Sequence, residues 1–395
     1  MNILILGGVA AGTKTAAKLK REDRSLNVTI LTKDKDISYA GCGLPYYVGG
    51  LIENREELIV NTPESYAALT GVEVLTGREA ISVDSEAKTV VVRCTDTGEE
   101  EIHSYDRLVI ATGASPAIPP IEGVGKAGVY TMRTPADAIG IRDYVKEHTV
   151  RNAVVVGGGF IGLEVAENLM AQGVEVTVMD FASQIMPNVL DPEMADYAQR
   201  HLRKQGVRVL TGARAEKLLG EVRVTGVKTA AASLPAELVV LSTGVRPNTA
   251  FLASSGIEMD KGAIVVDSQL KTNLPDVYAA GDCALVTNRM TGRRQWSPMG
   301  SSANLEGRTL AQVLAEKKKN YPGVLGTGVV KLPGLNCGRT GLTALTTAVM
   351  FLACIFIAPI AAIIPAAATS SALIYVGILM LQGLKNVDFN DLDQI

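Results

Sequence analysis

The chain has 395 residues, with 41 acidic and 38 basic side chains and a formal net charge of −3 at pH 7. This length predicts two or more domains, and without a basic block we expect no nucleic-acid partner. The cysteines are few and far apart: Cys42, Cys94, Cys283, Cys337 and Cys354. Such an odd, scattered set is not typical of a disulfide framework, so a cytoplasmic location is expected for about residues 1–343.

The first nucleotide-binding pattern opens the sequence. Asn2 to Leu6 is a short apolar run, typical of a strand buried on both faces of a parallel sheet. The loop GGVAAG at residues 7–12, a helical segment and a second apolar run follow, and the helix N-terminus would offer amide donors to a pyrophosphate. Val9 replaces the middle glycine, and the acid expected after the second strand is displaced to Asp34. A Rossmann-like turn without a nucleotide therefore stays an alternative.

The second nucleotide-binding pattern is complete. The apolar run Ala153 to Val156 leads into GGGFIG at residues 157–162, then a helix predicted over Leu163 to Gln172 and a strand that ends before Asp180. This is G-x-G-x-x-G with its acid about 20 residues further on. The Asp180 carboxylate can accept hydrogen bonds from ribose hydroxyls and would repel a 2′-phosphate. The pattern therefore favours NADH over NADPH.

Cys42 is the candidate redox residue. It lies in SYAGCGLPYY at residues 38–47, with no second cysteine nearby. A lone thiol beside a redox cofactor indicates a one-cysteine redox centre, although a buried structural cysteine is the alternative. Two nucleotide units imply two cofactors, and this logic predicts FAD on the first unit and NAD(P)H on the second. The three histidines have no metal-ligand spacing, so no metal site is predicted.

Four further segments resemble motifs of one family in the family's order. They are YDRLVIATGA at 105–114, LVVLSTGVRPN at 238–248, YAAGDCA at 278–284 and SPMGSSAN at 297–304. Over about residues 1–343 the chain thus resembles the FAD-dependent pyridine nucleotide–disulfide oxidoreductases, and in particular their single-cysteine branch of coenzyme A-disulfide reductases, NADH oxidases and persulfide reductases. The resemblance implies an α/β fold of two Rossmann-like dinucleotide-binding domains.

The same resemblance implies the reaction. Electrons would pass from NADH through FAD to a mixed disulfide between Cys42 and coenzyme A, and the released thiolate would have a lowered pKa. The partner would be a small-molecule disulfide such as coenzyme A disulfide, or a persulfide. Residues 9–11 carry no histidine, which argues against a peroxidase. NADH oxidase remains the second reading within the enzyme class.

Domain boundaries and site residues follow from the patterns and the resemblance together. We expect an FAD-binding domain in two parts (1–115 and 246–325), an NAD(P)-binding domain (116–245) and the start of a truncated dimerisation domain (326–343). The expected FAD residues are Gly7, Gly8, Gly12, Asp34, Thr112, Gly113, Gly281 and Asp282. The expected NAD(P)H residues are Gly157, Gly159, Phe160, Gly162, Glu164, Asp180 and Gly244. Core packing for Phe160 and a plain surface position for Glu164 are the alternatives.

The last segment departs from the family pattern. No charged residue occurs between Arg339 and Lys385, a stretch long enough for two membrane crossings of about 20 residues each. From Ala344 onward the sequence resembles part of a xanthine/uracil-type permease, and a buried apolar hairpin is the alternative. We therefore expect an apolar helical tail over 344–395, in place of the dimerisation domain, with membrane association through 344–384. The join near Gly338 to Thr343 indicates a chimeric chain.

This tail bears on activity. In the family that the chain resembles, the partner subunit's dimerisation domain completes the disulfide pocket, so both the family homodimer and turnover are in doubt here. A membrane-tethered or nonfunctional fusion protein is therefore the alternative from another class.

Overall fold

Two five-stranded parallel sheets form the framework of the chain, whose computed structural model describes residues 1–332 and 335–339. With strands numbered along the chain, the first sheet has the order β20 (Val277–Ala279), β7 (Arg107–Ile110), β1 (Asn2–Leu6), β2 (Asn27–Leu31) and β3 (Glu73–Leu75). The second has the order β12 (Arg208–Leu210), β11 (Glu175–Met179), β10 (Asn152–Val156), β16 (Leu238–Leu241) and β9 (Val129–Thr131). The two predicted Rossmann-like units are confirmed by these sheets.

Helices connect and cover these strands. They are α1 (Ala10–Glu22), α2 (Leu44–Val48), α3 (Pro63–Thr70), α4 (Pro135–His148), α5 (Phe160–Ala171), α6 (Pro192–Lys204) and α7 (Gly300–Leu314). The predicted helix start at Leu163 was wrong by three residues, because α5 begins directly after Gly159 at its N-cap. Short 3₁₀ turns occur at Gly41–Gly43, Arg55–Leu58 and Ala250–Leu252.

Smaller sheets decorate the two units. One contains β4 (Arg78–Asp84), β5 (Thr89–Cys94) and β6 (Glu100–Ser104), and another contains β13 (Lys217–Leu219), β14 (Gly226–Lys228) and β15 (Ser233–Pro235). A third contains β18 (Met259–Asp260), β19 (Ala263–Val265), β21 (Ala284–Thr287) and β22 (Arg294–Trp296). The strands β8 (Ala114–Pro116) and β17 (Val245–Pro247) pair antiparallel, so the two crossovers between the units lie side by side.

Buried apolar strands supply the core of each unit. Every residue of β16 is buried, as are the last four residues of β1 and of β10. Around the first sheet, α1 and α7 pack against each other, and Gly307 lets the backbones approach, since a Cβ there would lie 2.8 Å from the carbonyl oxygen of Ala11. This burial is what the continuous apolar runs predict for parallel strands covered on both faces.

A terminal hairpin completes the described part of the chain. It consists of β23 (Gly328–Leu332) and β24 (Leu335–Arg339), which pair antiparallel. Val330 and Leu332 are fully buried in the same cluster as Leu163 of α5. The predicted apolar tail at 344–395 lies outside the described residues. Within 1–332 and 335–339, no helix combines the length and apolar character that a membrane crossing needs.

Candidate active site

The carboxyl ends of three strands of the first sheet meet at one edge. Leu6 of β1 and Ala279 of β20 both lie opposite Ile110 of β7. The segments that follow these strands carry the predicted FAD residues Gly7, Thr112 and Gly281. The register of the sheet therefore brings together residues that are far apart in sequence, at the edge where open parallel sheets bind ligands.

The first glycine loop fits a dinucleotide. A Cβ on Gly7, whose φ is +114°, would lie 2.1 Å from the carbonyl oxygen of Ala111, and a Cβ on Gly12 would lie 1.9 Å from that of Gly7. Val9 stands at the place of the missing middle glycine with a φ of −111°, so the backbone conformation there does not require a glycine. Helix α1 begins after Val9 with neither a side-chain cap nor an acidic residue in its first turn. Its first amides are therefore available to a pyrophosphate.

Asp282 is ion-paired rather than free. Its Oδ2 atom lies 2.7 Å from Nη2 of Arg133, and its carbonyl oxygen accepts a hydrogen bond from Trp296 Nε1 at 2.8 Å. Arg133 is a residue that the sequence analysis missed. The Thr134 and Asp137 capping box does indicate a helix start there, but only the fold brings Arg133 to Asp282. A guanidinium at this edge could also hold a phosphate.

The two crossovers hold each other at the same edge. Thr112 Oγ1 donates to the carbonyl oxygen of Asn248 at 2.7 Å, and Asn248 Nδ2 donates to that of Thr112 at 3.0 Å. Gly113 and Gly244 adopt φ values of +67° and +98°, where a side chain would be strained. The hydroxyl of Thr112 thus links the two crossovers, a structural role that its sequence motif does not reveal.

The second glycine loop repeats the construction with its full fingerprint. Gly157 has a φ of +116°, and a Cβ there would lie 2.2 Å from the carbonyl oxygen of Ser242. A Cβ on Gly162 would lie 2.0 Å from the carbonyl oxygen of Gly157. Gly159 has open space where its Cβ would be, and it precedes α5 without a side-chain cap. The open position and uncapped helix end fit the second dinucleotide.

Asp180 and Asp34 are not equivalent. Asp180 accepts a hydrogen bond from the amide of Gly158 at 2.7 Å on one oxygen and from that of Ala182 at 2.8 Å on the other. It therefore shapes the glycine loop, and each oxygen keeps a lone pair for a ribose hydroxyl. Asp34 is exposed, while the neighbouring Thr32 is buried. Loss of solvation raises the pKa of Asp34, and the charges of neighbouring acidic residues raise it further. The charge of Lys33 opposes that rise.

Cys42 lies in the 3₁₀ turn before α2, and its side chain is exposed. Loss of solvation among the surrounding atoms raises the pKa of the Cys42 thiol, and the charges of Glu164 and Asp282 raise it further. The expected lowered pKa is thus not produced by the described protein groups, because the nearest ones that act are acidic. A thiolate here depends on a partner that supplies opposite charge.

The Cys42 segment is anchored to the second unit. Arg142 of α4 donates to the carbonyl oxygens of Ile52 at 3.1 Å and Glu53 at 2.9 Å, and its guanidinium lies 4.4 Å from the ring centre of Tyr47. Gln172 donates to the carbonyl oxygen of Gly49 at 2.6 Å. These contacts fix the short helix that follows the thiol, so the second unit helps to position it.

Glu164 is half-buried. It lies one turn into α5, and burial together with the charge of Glu167 raises its pKa to about 7. Its action on the pKa of both Cys42 and Tyr46 indicates that all three groups lie close together. Glu164 can therefore exchange a proton near neutral pH beside the thiol.

Replacing Glu164 by glutamine should speed alkylation of Cys42. Ionised Glu164 raises the pKa of the thiol, so its removal should raise the thiolate fraction, but only above pH 7 where the carboxyl is charged. At pH 8 we expect at least about a twofold faster reaction with iodoacetamide, followed by mass spectrometry of the Cys42 peptide, and at pH 6 no change. Glu193→Gln, at an exposed position of α6, is the matched control, and equal rates for Glu164→Gln and wild type at pH 8 would contradict the expectation.

Phe160 touches the terminal hairpin. A Cβ on Gly328 of β23 would lie 2.8 Å from Cζ of the Phe160 ring, so this glycine admits the ring. Lys331, on the opposite and exposed face of β23, has its Nζ atom 3.9 Å from Glu167 Oε1 and 5.9 Å from the ring centre of Tyr46. Core packing therefore describes Phe160 in this structure, and its role toward a nicotinamide stays a prediction.

Comparison with known proteins agrees with this architecture. The model of the pyridine nucleotide-disulphide oxidoreductase family matches residues 1–303. The chain therefore belongs to that family. A second model, described as the permease family, matches residues 325–395, which include the terminal hairpin and the predicted tail.

Several relatives have named activities. The chain is 37% identical to an NADH oxidase of Methanocaldococcus jannaschii over 87% of this chain and 77% of the relative. It is 37% identical to an NAD(P)H coenzyme A polysulfide/persulfide reductase of Pyrococcus horikoshii over 86% and 76%. It is 30% identical to a coenzyme A disulfide reductase of Staphylococcus aureus over 83% and 74%.

Solved structures share the fold. The structure of an NAD-dependent persulfide reductase from A. fulgidus superposes with a TM-score of 0.82 at 37% identity and covers 86% of this chain. This chain spans 63% of the length of that protein.

Proposed function

We propose that this chain is an FAD- and NAD(P)H-dependent oxidoreductase in which Cys42 reacts with coenzyme A disulfide or a coenzyme A persulfide. The observation that carries the proposal is that one exposed thiol, that of Cys42, is influenced by acidic residues of both dinucleotide-type units. Asp282, from the first unit, and Glu164, from the second, both act on the pKa of Cys42. The names of the relatives support the choice of coenzyme A as the thiol carrier.

The overall reaction balances with one hydride donor. A disulfide, NADH and a proton give two thiols and NAD⁺. Cys42 as thiolate would attack one sulfur of the substrate, release a thiol and remain in a mixed disulfide, which two electrons then cleave. A bound flavin supplies the two-electron relay between nicotinamide and sulfur. Glu164, with its pKa raised to about 7, would give a proton to a departing thiolate.

Residues for each cofactor follow from the contacts above. The loop of Gly7, Gly8 and Gly12 and the start of α1 would hold the FAD diphosphate. Asp282 and Arg133 would contact the same FAD molecule at this sheet edge. The loop from Gly157 to Gly162, the start of α5 and Asp180 would hold NADH. The corresponding domains would be residues 1–115 together with 246–325 for FAD and residues 116–245 for NAD(P)H.

Purified protein should be yellow and should lose its flavin absorbance with NADH under anaerobic conditions. The physical reason is the fit of both glycine loops to a dinucleotide diphosphate. The measurement is the absorbance spectrum before and after one equivalent of NADH, with NADPH as the comparison cofactor. Colourless protein that cannot be reconstituted with FAD would overturn the proposal.

NADH oxidase is the second candidate. It is favoured by the similarity to the Methanocaldococcus jannaschii relative and by the solvent exposure of Cys42. Oxygen uptake without added disulfide, at the same rate as disulfide-dependent turnover, would select this activity.

The tail limits what the whole chain does. Since the permease-like match begins at residue 325, we keep the proposal that 344–395 replaces the family's dimerisation domain as an apolar helical tail. Membrane association through 344–384 and the weakened homodimer belong to the same proposal.

A further inference from the structure

Helix α7 carries a glutamate on its buried face. The buried residues of α7 include Ala303, Leu310 and Leu314, and Glu306 lies on the same stripe with an exposed fraction of 2%. A carboxyl in an apolar stripe is costly unless a specific partner compensates it. The Glu306 carboxyl therefore needs a hydrogen-bond partner inside the protein.

One hydrogen-bond partner of Glu306 lies in the turn after β20. The amide of Gly281 donates to Glu306 Oε2 at 2.6 Å. Gly281 adopts a φ of +80°, and a Cβ there would lie 2.8 Å from Cβ of Ala11, so the turn is also pressed against α1. The next residue, Asp282, forms the ion pair with Arg133 at the proposed flavin edge. Glu306 thus holds the backbone of the turn through Gly281, and the next residue of that turn, Asp282, faces Arg133.

We propose that Glu306 is a positioning residue for flavin retention, which fixes the Gly281–Asp282 turn through its bond to the Gly281 amide. The inference rests on the proposed FAD site. It goes beyond that site because Glu306 is buried and acts through the backbone of another residue.

The surroundings of Glu306 favour its neutral form. Burial raises its pKa to about 8, the charge of Asp282 adds to that rise, and the Gly281 amide and the Tyr321 hydroxyl oppose it. The other titratable groups that face this region are Cys283, on the far side of the turn, and Lys14, whose Cβ would lie 3.2 Å from a Cβ on Gly307. At pH 7 the carboxyl is mostly protonated and still accepts the Gly281 amide proton.

Bound FAD should strengthen this preference. The diphosphate adds negative charge and the ligand removes water from the turn, and both effects disfavour an ionised Glu306. Above about pH 8 the free protein would have ionised Glu306 and would have to take up a proton on binding FAD. The Kd for FAD should then rise by up to about tenfold per pH unit.

The test measures the Kd of FAD for the apoprotein by flavin fluorescence between pH 7 and pH 9. The Kd of wild type for FAD should rise above pH 8. Glu306→Gln keeps an oxygen acceptor and cannot ionise, so its Kd for FAD should equal that of wild type at pH 7 and should not change up to pH 9. Glu306→Leu, which removes the acceptor, should bind FAD at least about tenfold more weakly at every pH. Glu316→Gln is the matched control at the exposed end of the same region, where Glu316 pairs with Arg107.

Each outcome bears on one claim. A Glu306→Gln profile that rises with pH as wild type does would overturn the inference, even if Glu306→Leu failed to fold. A wild type that binds no FAD at any pH would overturn the proposed function itself. Flat binding by Glu306→Gln beside pH-dependent binding by wild type and Glu316→Gln supports the positioning role.

Discussion

Cys42→Ser should abolish disulfide-dependent oxidation of NADH, with a loss of at least about a thousandfold in turnover. Serine has nearly the size of cysteine, but its hydroxyl cannot form the mixed disulfide that the proposed reaction needs. The variant should remain yellow, because Cys42 lies outside both glycine loops. The measurement is NADH oxidation with coenzyme A disulfide as acceptor, under anaerobic conditions.

Cys94→Ser is the matched control for this change. Cys94 is buried in the β4–β5–β6 sheet, where Arg78 Nη1 lies 3.6 Å from its sulfur, and we expect wild-type turnover from this variant. Disulfide reduction by folded, yellow Cys42→Ser would exclude Cys42 as the redox residue. Slow flavin oxidation by oxygen in that variant would persist under either enzyme reading.

Asp180→Ala should raise the KM for NADH by at least about tenfold. The change removes the acceptor of the Gly158 and Ala182 amides and also the proposed acceptor of ribose hydroxyls. The KM for NADPH should rise less than the KM for NADH, because the repulsion between the Asp180 carboxylate and the 2′-phosphate of NADPH disappears. Steady-state kinetics with both cofactors measures the narrowing of this preference.

The corresponding change in the first unit separates the two loops. Asp34→Ala removes an exposed acid that follows β2, and it should leave the KM for NADH unchanged. If Asp180→Ala retained the wild-type KM for NADH, the assignment of NADH to the second loop would be wrong. Equal KM effects from both variants would indicate a general loss of stability.

Much of the framework could be predicted from local sequence. The buried runs at β1 and β10 are continuous and apolar, and each leads directly into a glycine loop and a helix. Such patterns depend on interactions within about 30 residues, so a β-α-β unit is readable without the rest of the fold. The exact start of α5 was missed because its N-cap is a glycine of the loop itself.

The electrostatics of the thiol could not be predicted in the same way. The resemblance implied a lowered pKa through a bound flavin and nearby dipoles, whereas in the fold loss of solvation and the charges of Glu164 and Asp282 raise the pKa of Cys42. These residues are separated by more than one hundred positions in sequence, and the charge that one group exerts on another depends on their distance in space. Arg133 escaped notice for the same reason.

The sequence alone determined that the chain has two dinucleotide-type units, one candidate redox cysteine and a tail of different composition, because glycine spacing, apolar runs and the absence of charge are local properties. Only the tertiary structure decided which groups face one another. The pairing of Asp282 with Arg133 and the burial of Glu306 against Gly281 depend on β20, α4 and α7 meeting around one sheet edge. Side-chain partners across that edge are set by strand order and helix packing, which no single stretch of sequence encodes.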